Sequence, residues 1–219
     1  SNRTPQTVFA WIKNEFKSWK SVSNTPSIPE EKKKYGTQKT LRRKNISNTH
    51  FFISFHIADF GTRDYFMADI ISDALTSGSS SILYQDLIVD KKLCTDINSY
   101  TSDNIKNNLL TIEGHLADDI SIDDALTAIE NQMSNLMKRK LPKYKLETLQ
   151  NKALTYWHSQ LYSPTELAYY TSLFYQAGID SPLNTINALL SNIQPIEIQH
   201  TASNYLRWES ANILVYEKG

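Results

Sequence analysis

The chain has 219 residues, 40% of them hydrophobic and 11% aromatic, which is enough to build the core of one large domain or of one domain with an appendage. No apolar run approaches the roughly 18 residues that a membrane-spanning helix needs, and the single cysteine, Cys94, excludes an internal disulfide and a cysteine-rich zinc site. The net charge is zero but unevenly spread: residues 1–45 hold 11 Lys/Arg against 3 Asp/Glu, and residues 46–219 hold 12 against 20.

The first predicted element is an amphipathic helix over residues 5–21, which Pro5 opens. Its apolar side chains recur at spacings of three and four: Val8, Phe9, Ile12, Phe16 and Trp19. Residues 23–36, SNTPSIPEEKKKYG, contain two prolines, a lysine run and a glycine, which predicts a linker. A linker that separates an apolar helix from the rest of the chain indicates the end of a preceding domain. We therefore place the domain boundary between residues 1–36 and 37–219.

Two strands are predicted next. Residues 37–45 are polar, a composition that suits only the edge of a sheet. In residues 49–60 the side chains alternate between an apolar face and a mixed face, which is the pattern of a half-buried strand. The apolar face carries Phe51, Ile53, Phe55 and Ile57, and the opposite face carries His50, Phe52, Ser54 and His56.

A helix is predicted over residues 62–77, and it ends at Gly78. Its apolar stripe consists of Phe66, Ile70, Ile71, Ala74 and Leu75. The next stretch, SGSSSILYQDLIVDKKL, begins with a glycine and serine cluster, which predicts a sharp turn into a short helix with Ser79 or Ser80 as its N-cap. The side chains of this short helix that we expect to face the core are Leu83, Leu87 and Tyr84.

Two further strands, residues 93–101 and 107–116, are joined through Ser102-Asp103. Ser121 then caps an amphipathic helix, and Ser163-Pro164-Thr165-Glu166 marks another helix start. The remaining predicted elements are helices over residues 145–161, 181–192 and 194–206 and a strand over residues 210–217. Paired strands followed by consecutive helices predict an α+β fold, with a largely antiparallel sheet and helices packed on one face.

Side-chain chemistry indicates no active site. The histidines are His50, His56, His115, His158 and His200. None of them pairs at the i, i+4 spacing that lets two imidazoles of one helix share zinc, and His50 and His56 lie about 20 Å apart on one strand face. The sequence has no Gly-x-Ser-x-Gly elbow and no glycine-rich phosphate loop. We therefore expect no catalytic, cofactor-binding or metal-ligating residue in this chain.

Charge patterning leaves two weaker signals. The basic residues of segment 32–44 lie without the interleaved aromatic rings that stack on bases, which favours a solvated linker over nucleic-acid binding. The acidic pairs Asp118-Asp119 and Asp123-Asp124 lack the alternating ligands of a calcium loop and are typical of a helix start. We expect neither a nucleic-acid partner nor a membrane partner.

The order of these elements, together with SSILYQDLIVDKKL, resembles the pitrilysin/insulinase family of zinc metallopeptidases, which includes mitochondrial processing peptidase and its bacterial relatives. The resemblance covers residues 38–217, including the strand and helix FFISFHIADFGTRDYFMADIISDAL. The positions that match the family's stretch are Gly78, Ser80, Ser81, Leu83, Tyr84, Leu87, Val89 and Leu93. The resemblance implies the α/β roll of a metallopeptidase half, similar to LuxS and the processing peptidases.

Departures from the family are as informative as the matches. The family resemblance implies hydrolysis by a zinc-bound water on an inverted His-x-x-Glu-His helix in an N-terminal domain, and that motif is absent from this sequence. The opposing half often supplies an arginine and, seven residues later, a tyrosine. The corresponding residues here are Ile88 and Thr95, which have no guanidinium and no phenol. No cofactor is therefore implied for this chain, and zinc is implied for the N-terminal domain.

The resemblance thus implies the non-catalytic C-terminal domain of a bacterial zinc metallopeptidase, part of a clamshell chamber that holds a peptide or unfolded protein substrate. The implied partners are its own N-terminal zinc domain and a second family subunit or a second copy in a homodimer. Residues 1–36 would be the terminal helix and linker of the preceding domain. The alternative is an inactive paralogue that serves as a scaffold or subunit-interaction domain. The bacterial cytoplasm and the periplasm both remain open as compartments.

Overall fold

The structure is a computed structural model that describes residues 3–20, 38–160 and 162–218. The chain divides into two compact units, residues 1–30 and 31–219. The predicted linker, residues 23–36, lies outside the described residues.

In the first unit, helix α1 spans Pro5–Glu15, with the Thr4 side chain accepting a hydrogen bond from the backbone N–H of Thr7. The helix is shorter than the predicted range 5–21, because after Glu15 the chain continues as turns. No residue of α1 is buried. The large apolar side chains of this segment that are exposed are Phe9, Trp11, Ile12, Phe16 and Trp19.

The second unit contains a five-stranded sheet, with strands β1 Gln38–Lys44, β2 His50–His56, β3 Cys94–Thr101, β4 Leu109–Leu116 and β5 Asn212–Lys218. The strand order is β1-β5-β2-β4-β3, and only the β1–β5 pair is parallel. The predicted α+β class with a largely antiparallel sheet is confirmed. The polar strand β1 lies at an edge, as its composition predicts.

Helices cover one face of this sheet. They are α2 Arg63–Thr76, α3 Ile122–Lys138, α4 Lys143–Gln160, α5 Pro164–Gln176, α6 Pro182–Leu190 and α7 Pro195–Tyr205, with a short 3₁₀ turn at Trp208–Ser210. Helix α2 packs on β3 and β4 and also contacts α4, α6 and α7, so it is the centre of the helical layer. The predicted Ser163 cap is present, since its hydroxyl accepts a hydrogen bond from the Glu166 backbone N–H.

The core lies between the sheet and the helices. Phe51, Ile53 and Phe55 of β2 have no exposed surface, whereas the residues between them are partly exposed. Burying a side chain of this size contributes roughly 1.5–3 kcal/mol of stability, so this alternation fixes which face of the strand meets the helices. Cys94 is also buried, and burial raises the pKa of its thiol to about 12, as expected for a packing residue.

The serine-rich stretch after α2 forms the predicted turn, but the helix that follows is a π-helix, Tyr84–Asp90, in which the N–H of Lys91 bonds the carbonyl of Asp86. Gly78 adopts a φ of 82°, a left-handed conformation that glycine tolerates best. The predicted N-cap is wrong. Leu83 precedes the helix without a side-chain cap, and the Ser81 hydroxyl instead donates to the Gly78 carbonyl. The expected core residues Leu83 and Leu87 are fully buried.

Candidate functional site on the open face of the sheet

The face of the sheet opposite the helices carries histidine, tyrosine, hydroxyl and carboxylate side chains. We call it the open face. By strand register it presents Thr40 and Arg42 from β1, His50, Phe52, Ser54 and His56 from β2, Asp96, Asn98 and Tyr100 from β3, Thr111, Glu113 and His115 from β4, and Asn212, Leu214 and Tyr216 from β5. Most of these side chains are at least partly exposed, because the helices pack on the other face.

Two histidines from adjacent strands meet on the open face. The rings of His50 and His115 stack with centroids 4.0 Å apart and an interplanar angle of 18°. His115 Nδ1 lies 3.0 Å from Asp96 Oδ2, so the carboxylate orients that imidazole. Partial burial lowers the pKa of His50, and the neighbouring His115 lowers it further. His50 is therefore held in its neutral form more firmly than a free histidine.

Neighbouring cross-strand pairs on the open face carry hydroxyl and carboxylate groups. The Tyr100 hydroxyl lies 3.4 Å from Glu113 Oε2, and Ser54 Oγ lies 3.0 Å from Thr111 Oγ1. Partial burial raises the pKa of Tyr100, and the negative charge of Glu113 raises it further, so the phenol stays protonated at neutral pH. The open face thus carries hydrogen-bond donors, hydrogen-bond acceptors and aromatic rings close to one another.

A shallow groove of about 400 Å³ crosses the open face between β3 and β1. It is lined by Thr40, Phe52, Ser54, Tyr100, Thr111, Asn212, Ile213 and Leu214. Apolar side chains and short hydroxyl or amide groups alternate along it. This mixture suits an extended peptide, whose backbone needs hydrogen-bond partners and whose side chains need apolar contacts.

The oriented imidazole of His115 receives no hydrogen bond from a hydroxyl or thiol within the part of the chain that the structure describes, although Thr95 Oγ1 lies 3.4 Å from the His115 backbone carbonyl. Ile88 is half-buried in the π-helix and packs against the core. Those two positions, which the family resemblance singles out, therefore hold a hydrophobic side chain and an exposed hydroxyl.

Within the described ranges, no group of three or more His, Cys, Asp or Glu side chains is placed to hold a metal ion. The Asp123 backbone N–H donates to the Ser121 hydroxyl at 3.2 Å and its carboxylate meets Lys39 at 2.7 Å, as a helix-start acid does. His158 Nε2 lies 3.0 Å from Asn187 Oδ1, which joins α4 to α6. None of the helices in the described segments has the length and apolar character to span a bilayer.

The sequence alone did not reveal the stacked pair His50 and His115 or the contact of His115 with Asp96. The residues lie 65 and 19 positions apart, and only the registers of β2 with β4 and of β3 with β4 bring them together. The alternation of apolar and mixed side chains in β2 correctly predicted that His50 and Phe52 lie on one face. A pairing prediction for the β3–β4 hairpin would have been the one available signal, because it opposes Asp96 to His115.

Comparisons with known proteins place this architecture. The family model of the Peptidase M16 inactive domain matches residues 1–153. A protease from Helicobacter pylori superposes with a TM-score of 0.85 at 17% identity, over 98% of this chain and 53% of that protein. An inactive peptidase domain from Bordetella parapertussis has a TM-score of 0.72 at 20% identity, over 80% of this chain and 94% of that one.

A chain of Complex III2 from Candida albicans is also similar, with a TM-score of 0.70 at 10% identity, over 84% of this chain and 46% of that one. At these identities the likeness shows a shared fold. A comparison with curated protein sequences found no match. The chain spans about half the length of the Helicobacter pylori protease that it resembles.

Proposed function

Because the chain belongs to the peptidase M16 family, as an inactive domain of that family, we propose that it forms one wall of a chamber in which a partner zinc domain cleaves peptides. In this role the chain holds an extended peptide or an unfolded protein segment, and the zinc domain supplies the reaction. Family membership also confirms the resemblance to the pitrilysin and insulinase metallopeptidases.

The observation that carries the proposal is the open face. Phe52 is an aromatic residue on the side of β2 that faces away from the helices, and it lines the groove. A partly exposed ring in the middle of a sheet contributes less to folding than a buried one, and it offers a ligand an apolar surface. The hydroxyls of Ser54 and Thr111 beside it can exchange hydrogen bonds with a peptide backbone.

The same proposal assigns zinc to an N-terminal domain of the parent protein. The present chain corresponds to 53% of the Helicobacter pylori protease, which leaves room for a domain of similar size. In that arrangement residues 1–36 are the terminal helix and linker of the preceding domain, and that domain covers the exposed apolar side chains of α1. A second family subunit, or a second copy of the parent, would close the chamber.

The direct test is photo-crosslinking in the full-length parent protein. A benzoylphenylalanine replaces Phe52 on the open face, and a matched variant carries it at Tyr144, an exposed aromatic position of α4 on the helical side. With a fluorescent unfolded peptide, we expect adducts at position 52 and few at position 144. Equal labelling at both positions, or none at position 52, would refute the assignment of the peptide to the open face.

The division of labour between the domains has its own test. We expect the parent to contain zinc and to cleave a generic unfolded peptide, and the 219-residue chain to do neither. Stoichiometric zinc together with peptide cleavage by the chain alone would overturn the non-catalytic assignment.

The likeness to a chain of Complex III2 favours a second candidate function, that of an inactive scaffold or subunit-interaction domain. The two candidates differ in the sequence that precedes this domain. A His-x-x-Glu-His motif roughly 150–200 residues upstream, about one domain's length, together with zinc in the parent, supports the peptidase. Absence of both from the complete parent sequence and protein supports the scaffold.

A further inference from the structure

A second cavity, of about 500 Å³, lies on the helical side of the sheet beside β3. Helix α2 and helix α4 form two of its walls, and Tyr170 of α5 closes part of the third. Of its lining residues only Tyr100, at the rim of β3, also lines the groove of the open face. The cavity therefore shares one rim residue with the surface to which we assign the peptide and lies on the other side of the sheet.

The charge of this cavity is not balanced by the described residues that line it. Asp69 and Asp73 project from successive turns of α2, Asp103 lies beside them, and Lys152 of α4 is the one cation of the lining. Lys152 is engaged elsewhere in the cluster: its Nζ lies 3.3 Å from Asp73 Oδ1 and contacts the Ser77 hydroxyl. Three carboxylates against one ammonium leave the lining with excess negative charge.

Asp69 is a carboxylate of this lining that no described cation contacts. The hydroxyl of Thr101 donates to its Oδ1 at 2.8 Å, and no described residue donates to its second oxygen. Burial raises the pKa of the Asp69 carboxyl to about 6, so it is ionised at neutral pH in spite of its surroundings. A partly buried carboxylate in the cavity lining is an acceptor for a ligand that enters the cavity.

Aromatic rings complete the lining. Trp157 packs edge-on against Tyr170 with centroids 5.0 Å apart and against Tyr156 at 5.7 Å. Trp157 is 5% exposed, and its indole N–H has no hydrogen-bond partner within the described residues. Tyr156 and Tyr100, which are 51% and 44% exposed, present ring surface at the cavity.

Carboxylates surrounded by aromatic rings are the lining that recognises organic cations, through charge pairing and through contact of the cation with ring faces. The carboxylates do not form a group that could hold a metal ion in the described part of the chain, which argues for a larger cation with several N–H donors. We propose that this cavity binds an organic cation, the guanidinium or alkylammonium group of a basic peptide side chain or of a free amine. The assignment is independent of the chamber proposed for the open face.

The test is isothermal titration of the 219-residue chain at pH 8 with three probes. N-acetyl-arginine amide presents the cation with a peptide carbonyl, agmatine presents it as a free amine, and N-acetyl-citrulline amide is the neutral isostere. We expect saturable one-site binding of a cationic probe and none of the citrulline compound. Stronger binding of the arginine amide identifies a peptide side chain as the source, and stronger binding of agmatine identifies a free amine. Equal binding of arginine and citrulline amides, or no binding of either cation, overturns the proposal.

Two variants locate the site. Asp69→Asn keeps the side-chain shape and the acceptor for Thr101 but removes the charge, and we expect it to weaken binding about tenfold or more. Asp90→Asn removes an exposed carboxylate at the end of the π-helix, outside the cavity lining, and binding should be unchanged. In the original chain the affinity should rise as the pH increases through about 6, and this rise should be absent from Asp69→Asn. Equal affinity in Asp69→Asn would refute the site.

Discussion

The two faces of β2 differ in burial, and only one of them contributes to the packed core. Phe51, Ile53 and Phe55 point into the helical layer and have no exposed surface, whereas Phe52 points away and stays partly exposed beside the groove. All four are apolar, so hydropathy alone does not distinguish them. Their environments do: the open face leaves Phe52 partly exposed, and the opposite face buries its side chains in the core that holds the fold together.

The strongest test of this difference compares two phenylalanines of one strand. Phe55→Ala should lower the free energy of unfolding by about 3–5 kcal/mol, because it leaves a cavity in the packed core. Phe52→Ala should lower it by about 1 kcal/mol, because its ring is only partly buried. Urea unfolding of both variants measures the two losses. Equal losses would contradict the division between the faces.

The helical side also contains a residue that works against stability. The pKa of the Asp69 carboxyl is raised to about 6 in the folded chain, so the folded state binds that proton more tightly than the unfolded state does. The original chain therefore loses stability as the pH rises from about 4 to about 6. Asp69→Asn removes this loss and should be more stable by about 3 kcal/mol at pH 8.

Thermal or urea unfolding of Asp69→Asn at pH 4 and pH 8 measures this gain, with Asp90→Asn as the exposed control. Near pH 4 the variant and the original chain should unfold alike, since the carboxyl is protonated in the folded state. A gain that is the same at both pH values would contradict the assignment of the effect to the charge of Asp69.

A smaller effect is expected at Arg63, which joins α2 to α7 away from both sites. Its guanidinium donates to both carboxylate oxygens of Glu197, at 3.0 and 3.2 Å, and to the carbonyl of Leu189 at 2.9 Å. Arg63→Met should cost about 1–2 kcal/mol, because it leaves these acceptors unpaired.

The loss at Arg63 should depend on pH. The hydrogen bond from Arg63 lowers the pKa of Glu197, and the Gln194 backbone N–H lowers it further, so this stabilisation is present above the unfolded pKa and disappears as the pH falls through the folded one. Unfolding at pH 7 and at pH 3 checks the sign. An undiminished loss at pH 3 would argue that the methionine disturbs packing instead.

The smallest effect is expected on the open face itself. Tyr100→Phe removes the hydroxyl next to Glu113 at 3.4 Å, but the ring is 44% exposed and water replaces the lost contact. The free energy of unfolding should change by less than about 0.5 kcal/mol. A loss of 2 kcal/mol or more in the same urea experiment would show that the open face contributes to the fold as the core does.

Local sequence signals predicted those elements whose determinants lie close together in the chain. The alternation of β2, the apolar stripe of α2 and the Ser163 cap each depend on a few neighbouring residues, and all three are confirmed. The end of α1 and the π-helix were not predicted, because helix type and helix length there depend on single backbone hydrogen bonds that residue spacing does not encode.

The candidate sites depended on information that local patterns do not contain. The stacking of His50 on His115 requires a strand register, and the cavity beside β3 requires α2, β3 and α4 to meet. From the sequence alone, Asp69 and Asp73 are ordinary polar positions on the outer face of an amphipathic helix. The packing of α4 over them partly buries Asp69, and the lysine of α4, Lys152, pairs with Asp73 and not with Asp69.

The position of β5 has a consequence for how the sheet assembles. Gln38 pairs with Asn212, 174 positions later, and β5 also pairs with β2, so the strand that joins the edge of the sheet to its centre is the last one in chain order. Closing so long a loop costs conformational entropy, and sheets in which distant segments pair fold slowly. During synthesis, β1 and one edge of β2 stay unpaired until β5, with which both of them pair, has been made. A nascent chain of this domain therefore exposes unpaired strand edges until β5 has been synthesised and has paired with both strands.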